Sequence, residues 1–204
     1  MKLRGILPAL AASLVITLTG CFGGGGGEIP QDRYYRLDQP MPKADGGLVM
    51  TGTLEVPRIL AGGILNEQAI AFSYEEAPDV LRQYRSQFWN DAPGIMIQDR
   101  LTRYLQAAGV AKNVVMSSYG VRTDYYVKGE LRRMELVAGK MSKVVLEMDL
   151  GLVRNQDAVL LFSNNYRMEK TIARAEPGLA VEGINSAMAE IFAAYLNDLY
   201  KLRR

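Results

Sequence analysis

The chain has no histidine and one cysteine, Cys21, in 204 residues. The first absence removes the commonest general base and the commonest transition-metal ligand. The second leaves no partner for an internal disulfide and argues against cysteine-ligated zinc or haem. No Gly-x-Ser-x-Gly elbow and no Walker-type phosphate loop occurs, so two common routes to hydrolase or nucleotide chemistry are missing. Charge of one sign is not in surplus either: 24 basic residues face 22 acidic ones, and two of the basic residues are Lys2 and Arg4. Beyond them the charges balance, which gives no footprint for a nucleic-acid partner. Arg132-Arg133 and Arg203-Arg204 are small clusters and read as solvated positions. After the first twenty residues there is no apolar run long enough to span a bilayer.

What is present at the start is specific. Lys2 and Arg4 open the chain, and Gly5 to Thr19 is uncharged and rich in Leu, Ile, Val and Ala. That length suits a secretory h-region and is short for a membrane helix. Leu18-Thr19-Gly20-Cys21 follows and resembles the lipobox of bacterial lipoproteins. The resemblance implies cleavage between Gly20 and Cys21, with residues 1–20 removed and diacylglycerol placed on the Cys21 sulfur. It accounts for a lone thiol in an oxidising compartment, where it would otherwise be a stray reactive group. No cofactor is expected beyond this covalent lipid. Gly23–Gly27 and Pro30 make residues 21–33 a tether, because glycine runs supply no side chains to a core. About 12 flexible residues reach roughly 20 Å. Phe22, rather than an aspartate, follows the cysteine, which favours the outer membrane, with the periplasmic face of the inner membrane as the alternative.

Residues 34–204 read as one α+β domain of two layers. "YYRL" (34–37) is a first short strand, and "LVMTGTLEVPRIL" (48–60) is a strand up to Val56, stopped by Pro57. "AGGILN" is a turn. Ile70, Phe72 and Tyr74 alternate in a strand over 68–76; residues 79–89 also read as a strand, a helical turn being the alternative. The first helix spans 91–109, with Asp91 as cap, Pro93 in the first turn, Gly109 as stop, and Ile97, Leu101, Tyr104, Leu105 and Ala108 as a core stripe. Three long strands follow, over 123–136, 143–153 and 158–172. A bulge is expected at Arg132-Arg133, a turn at Asn155-Gln156-Asp157, and Leu160, Phe162, Tyr166 and Met168 on one phase. A last helix, 179–202, carries Ile184, Ala187, Met188, Ile191, Tyr195, Leu199 and Leu202 inward. Polar outward faces on consecutive strands predict a mostly antiparallel sheet with both amphipathic helices packed on one face.

Candidate chemistry is sparse. Glu147 and Asp149 share a strand face, a spacing on which a glycosidase pair is conceivable, though a solvated face explains them more simply. Tyr34-Tyr35 and Tyr125-Tyr126 are adjacent aromatic pairs, so one of each should point away from the core. With 10 methionines and 11 tyrosines in the chain, these four tyrosines are the candidate partner-binding residues. No metal site is expected.

The order of motifs from the lipobox onward resembles the ABC-type transport auxiliary lipoproteins, related to the lipoprotein of paraquat-inducible MCE systems. The matching stretches are "YYRL", "LEVPRIL", "IAFSYEEAPDVLRQYRSQFW", "IQDRLTRYLQAAG", "VVLEMDLGLV" and the C-terminal helix. Asp91 and Gly94 depart from the usual pattern, the latter replacing an apolar residue. The resemblance implies a non-catalytic component anchored at the outer membrane, docking an MCE-domain protein whose cognate ATPase supplies the energy. A homo-oligomeric ring is expected by analogy with MCE rings. The alternatives are a periplasmic lipid carrier and an assembly lipoprotein of another envelope machine. If the lipobox reading holds, intact mass spectrometry of native protein shows a chain beginning at Cys21 with an acyl increment, and Cys21→Ser abolishes that increment.

Overall fold

The computed structural model describes residues 31–43 and 46–203, so the expected signal sequence, its cleavage point at Gly20, Cys21 and most of the tether lie outside the described residues. Among the described residues nine strands form one sheet: β1 (Arg33–Tyr35), β2 (Met50–Val56), β3 (Leu60–Ala61), β4 (Ala69–Tyr74), β5 (Ala77–Trp89), β6 (Ala111–Met116), β7 (Tyr125–Ala138), β8 (Lys143–Arg154) and β9 (Val159–Thr171). The helices are α1 (Pro93–Ala107) and α2 (Pro177–Lys201). Short 3₁₀ turns occupy Gly63–Asn66 and Ser117–Tyr119. Among the described residues no helix is long and apolar enough to cross a membrane.

The long strand β7 organises the sheet. One edge pairs antiparallel with β8 along its whole length, from Tyr125↔Arg154 to Val137↔Lys143. The other edge is divided among three short strands, all parallel to it: β2 at Tyr125 and Tyr126, β3 at Glu130 and Leu131, and β4 at Leu136 to Ala138. β9 extends the β8 side, β5 and β1 extend from β4, and β6 extends from β2. This corrects the mostly antiparallel expectation. The sheet is mixed: β4–β5, β7–β8 and β8–β9 are antiparallel, while β1–β5, β2–β6, β2–β7, β3–β7 and β4–β7 are parallel. The antiparallel pairs join successive strands through turns. The parallel pairs join strands distant in sequence, which local alternation does not reveal.

One apolar core lies between the sheet and both helices. Val144, Leu146, Met148, Leu150 and Leu152 of β8 enter it, with Val127, Leu131, Met134 and Leu136 of β7. The change of phase between Leu131 and Met134 is the bulge expected from sequence, between Leu131 and Arg133. α1 contributes Ile97, Leu101, Tyr104 and Leu105, and α2 contributes Ile184, Met188, Ile191 and Tyr195. The two helices meet where Tyr104 and Phe192 lie with ring centroids 5.5 Å apart. Close packing at glycine admits them: a Cβ on Gly183 would lie 2.8 Å from Val144.

Several local readings need correction. Asp91 does not cap α1; the cap position is Ala92, and Asp91 Oδ1 accepts the Ala92 N–H at 2.8 Å. Pro93 does open the helix and Gly109, with φ +63°, ends it. In β9 a register shift opposite Leu152 and Val153 breaks the single phase, so Leu160 is exposed while Leu161 and Phe162 pack against the core. Leu202 lies past the end of α2 and is partly exposed. Strand β6 is not apparent from sequence, nor is strand β3, which ends on the first residue of the expected turn.

Gly94, the departure from the family pattern, has a steric reason. A Cβ there would sit 2.1 Å from the Ile59 carbonyl oxygen, and the Ile59 N–H donates to the Gly94 carbonyl. The contact is with backbone, so no side chain can swing aside. Gly94→Ala is expected to destabilise the fold by about 1–3 kcal/mol. Gly178→Ala, also in a helix first turn but with open space around it, should be neutral or stabilising by up to about 1 kcal/mol. Urea denaturation of both variants checks the contrast.

Candidate binding surfaces

The candidate tyrosines fall in two separate places. Tyr34 and Tyr35 lie on β1, against the C-terminal end of β5, in register with Phe88 and Trp89. Trp89 is buried in the core, and Tyr35 on the same phase is half-buried, its hydroxyl donating to Gln87 Oε1 at 2.8 Å. Tyr34 takes the opposite phase. It is 60% exposed and stacks on Phe88 with centroids 5.4 Å apart. One tyrosine of the pair thus serves the core and the other forms an aromatic ledge at the start of the body.

Tyr125 and Tyr126 open β7 and are both half-buried, opposite Arg154 and Val153 of β8. Tyr125 packs against the core. β5 and β4 separate β1 from β7 in the strand order, so the structure does not bring the two tyrosine pairs together. Tyr125 instead lines a cavity of about 480 Å³ with Arg122, Thr123, Asp124 and the turn after β8. Its walls are stitched by side chains that sequence reading missed. Asp124 Oδ2 accepts the Thr53 N–H at 2.7 Å, and Gly52 leaves space for that carboxylate. Thr123 Oγ1 donates to Glu55 Oε2 at 3.1 Å, and Asn155 Nδ2 donates to the Thr123 carbonyl at 2.8 Å. Every partner is more than thirty residues away in sequence, and no local pattern announces such pairings.

The sheet face away from the helices carries an ion-pair lattice. Arg132 bonds Asp149 and Glu130, both at 2.7 Å; Arg167 bonds Glu147 at 2.6 Å and Glu169 at 2.5 Å; Lys143 bonds Glu169 at 2.6 Å. Asn165 Nδ2 donates to Asp149 at 2.8 Å. That hydrogen bond, with the one from Arg132, holds the Asp149 carboxyl below its usual range despite partial burial. Asp149 is taken up by Arg132 and Glu147 by Arg167, so the Glu147/Asp149 pair is part of this ion-pair lattice. Glu169 is likewise held low, by hydrogen bonds from Lys143 and Arg167.

α2 is fastened to β9 and β8 by a different device. Tyr166 donates to Asp198 Oδ2 at 2.6 Å, Asn164 donates to the same oxygen at 2.8 Å, and the buried Tyr195 hydroxyl donates to the Gly151 carbonyl at 3.1 Å. Burial, reinforced by the Asp198 hydrogen bond, pushes the Tyr166 hydroxyl well above its usual pKa; burial does the same to Tyr195. Burial works against an ionised Asp198, but hydrogen bonds from Lys201, Tyr166 and Asn164 outweigh it and hold its pKa low.

The family model described as ABC-type transport auxiliary lipoprotein component matches residues 35–194, from β1 through most of α2. Among curated proteins, none matches the chain in sequence. A crystal structure of a Xanthomonas campestris protein superposes with a TM-score of 0.73 at 15% identity, covering 83% of this chain and 96% of that one. An uncharacterized protein superposes with a TM-score of 0.64 at 13% identity, covering 82% and 98% respectively. At these identities the likeness establishes the fold.

The shifted groups set a two-sided pH dependence. Asp149, Glu169 and Asp198 ionise below their ordinary range in the folded chain, so their contribution is full above the unfolded carboxylate range near pH 4 and is lost as pH falls through the folded values. Tyr166 and Tyr195 are raised, so their contribution is full below about pH 10 and is lost as pH rises further. Urea midpoints measured across pH should fall on both sides, and Tyr166→Phe should shrink the alkaline loss.

Proposed function

As a member of the ABC-type transport auxiliary lipoprotein family, the chain is, we propose, the outer-membrane-anchored periplasmic component of an MCE-type lipid transport system. It docks the distal end of the MCE-domain protein to the outer membrane. Family membership makes it an envelope-associated auxiliary component of a transport system; the membrane, the MCE partner and the docking role are the proposal. The observation that carries it is the position of the family match. It begins at Tyr35, just after a lipobox and a glycine tether, and takes in nearly the whole body.

In this reading the lipid on Cys21 holds residues 21–33 at the bilayer, and more than one acyl chain is needed for stable anchoring. The body is non-catalytic. Energy comes from the partner ATPase, in keeping with a sequence without a phosphate loop. Copies assemble in a ring. The Tyr34 ledge, with its exposed ring on Phe88, is the best-placed of the four tyrosines to meet a partner, because aromatic side chains gain most from desolvation at an interface. Tyr35 and Tyr125 spend part of their surface on the core.

Detergent extraction after mild crosslinking, followed by capture of this chain, is expected to recover an MCE-domain protein. Tyr34→Ala should reduce that recovery while leaving the thermal midpoint near wild type. Capture of a secretion or lipopolysaccharide-export component in its place would overturn the MCE assignment in favour of another envelope machine.

A further inference from the structure

Strand β9 is the outer strand on its side of the sheet. It pairs with β8 and, among the described residues, with no other strand. Its register with β8 is unbroken from Lys143↔Thr171 to Leu152↔Phe162. Just beyond the strand the Ile172 N–H donates to the Ser142 carbonyl at 2.9 Å, on the same register. Bonded residues alternate along an antiparallel ladder. Asn164, Tyr166, Met168 and Lys170 therefore turn their backbone groups to β8, and Ser163, Asn165, Arg167, Glu169 and Thr171 turn theirs to the open edge. All five of the latter are exposed. α2 is fastened over the other phase, where Asn164 and Tyr166 reach Asp198 and Lys170 reaches Glu190. From Ser163 to Thr171 the edge has no proline, no glycine and no bulge, three of the devices that blunt an edge strand.

The charges on this edge are complementary to themselves. Arg167-Met168-Glu169 reads basic, apolar, acidic. Two copies of β9 laid antiparallel, edge to edge, about a two-fold axis at Met168 set Arg167 opposite the partner's Glu169, twice, and Asn165 opposite the partner's Thr171. Each of these is an open-edge residue, so every such opposition is also a backbone-bonded pair. An axis on Arg167 or on Glu169 opposes like charges, and an axis on Tyr166 or Lys170 matches no charges at all. An axis between residues sets open-edge groups against groups already spent on β8. Opposite charges across a strand pair stabilise it and like charges destabilise it. One register is thus selected, and in it the lattice that joins Arg167 to Glu147 and Glu169 to Lys143 continues into the second copy.

We propose that the β9 edge joins two copies of this chain, antiparallel and about a two-fold axis at Met168, so that one sheet runs through both bodies. The pairing goes beyond the docking reading and does not rest on it. A two-fold pair closes on itself, so a ring contact needs a second surface.

The test uses the full chain in detergent. An antiparallel pair that is not bonded through its backbone brings Cα atoms to about 4.5 Å, so Met168→Cys should give a covalent dimer on mild oxidation. Asn164→Cys lies on the same face but four residues from the axis, roughly 26 Å from its own copy, and should give less than about a tenth as much. The unsubstituted chain controls for Cys21. Arg167→Glu and Glu169→Arg, each alone, should weaken dimerisation by about tenfold in sedimentation, because the two-fold axis doubles each cross-strand change. The two combined should restore it. The combined variant still lacks the contacts to Glu147 and Lys143 that the single ones lose, so restoration reads the contact between copies. Dimer from Asn164→Cys as readily as from Met168→Cys overturns the proposal, and so does a Met168→Cys chain that stays reduced, whether as a monomer or in a ring built on another surface. A combined variant as weak as the single ones overturns it too.

Discussion

The backbone ladder of β7 is the constraint on which the rest of the fold depends. Strands of two to seven residues such as β2, β3 and β4 cannot hold a sheet position by themselves. Each is fixed by hydrogen bonds to a different part of one β7 edge, while β8 secures the other edge over its full length. The bulge at Arg132 adjusts the phase so that residues on both sides of it still enter the core. It also sets two arginines next to each other on the open face. A feature needed for packing thus shapes the charged face of the sheet.

That face carries carboxylates and cations in matched pairs. Its ion pairs are exposed, and pairs of that kind contribute little individually. Their effect is to keep carboxylates and cations matched across β7, β8 and β9, so that the face stays wet and the apolar residues stay on the other side. Glu135 is the exception, because it is buried and only half satisfied.

The tyrosine pairs show how far residue type goes toward a binding site. Adjacent residues in a strand must take opposite phases, and Tyr34 and Tyr35 do: one stacks in the open on Phe88, the other reaches Gln87 beside the core. Which member of the pair is free depends on which phase holds Trp89, and that follows from the register of β1 on β5. For Tyr125 and Tyr126 the strand ends beside the Asp124 cluster, and both rings are partly covered.

The amino-acid sequence by itself determined the lipobox candidate, the two helices with their buried stripes, the three long strands, and the bulge at Arg132-Arg133. Each is a signal carried by near neighbours in the chain: a spacing of three and four, an alternation of two, a turn, a proline. The turn between β8 and β9 at Asn155-Gln156-Asp157 was legible for the same reason. Only the tertiary structure decided that the remaining pairings are parallel, that Gly94 must be bare against Ile59, and that Asp124 reaches Thr53. It also decided that Glu135 lies buried beside Arg133. Those outcomes join residues tens of positions apart, whose meeting is set by how the whole sheet curls around its core and leaves no trace in any short window of the chain.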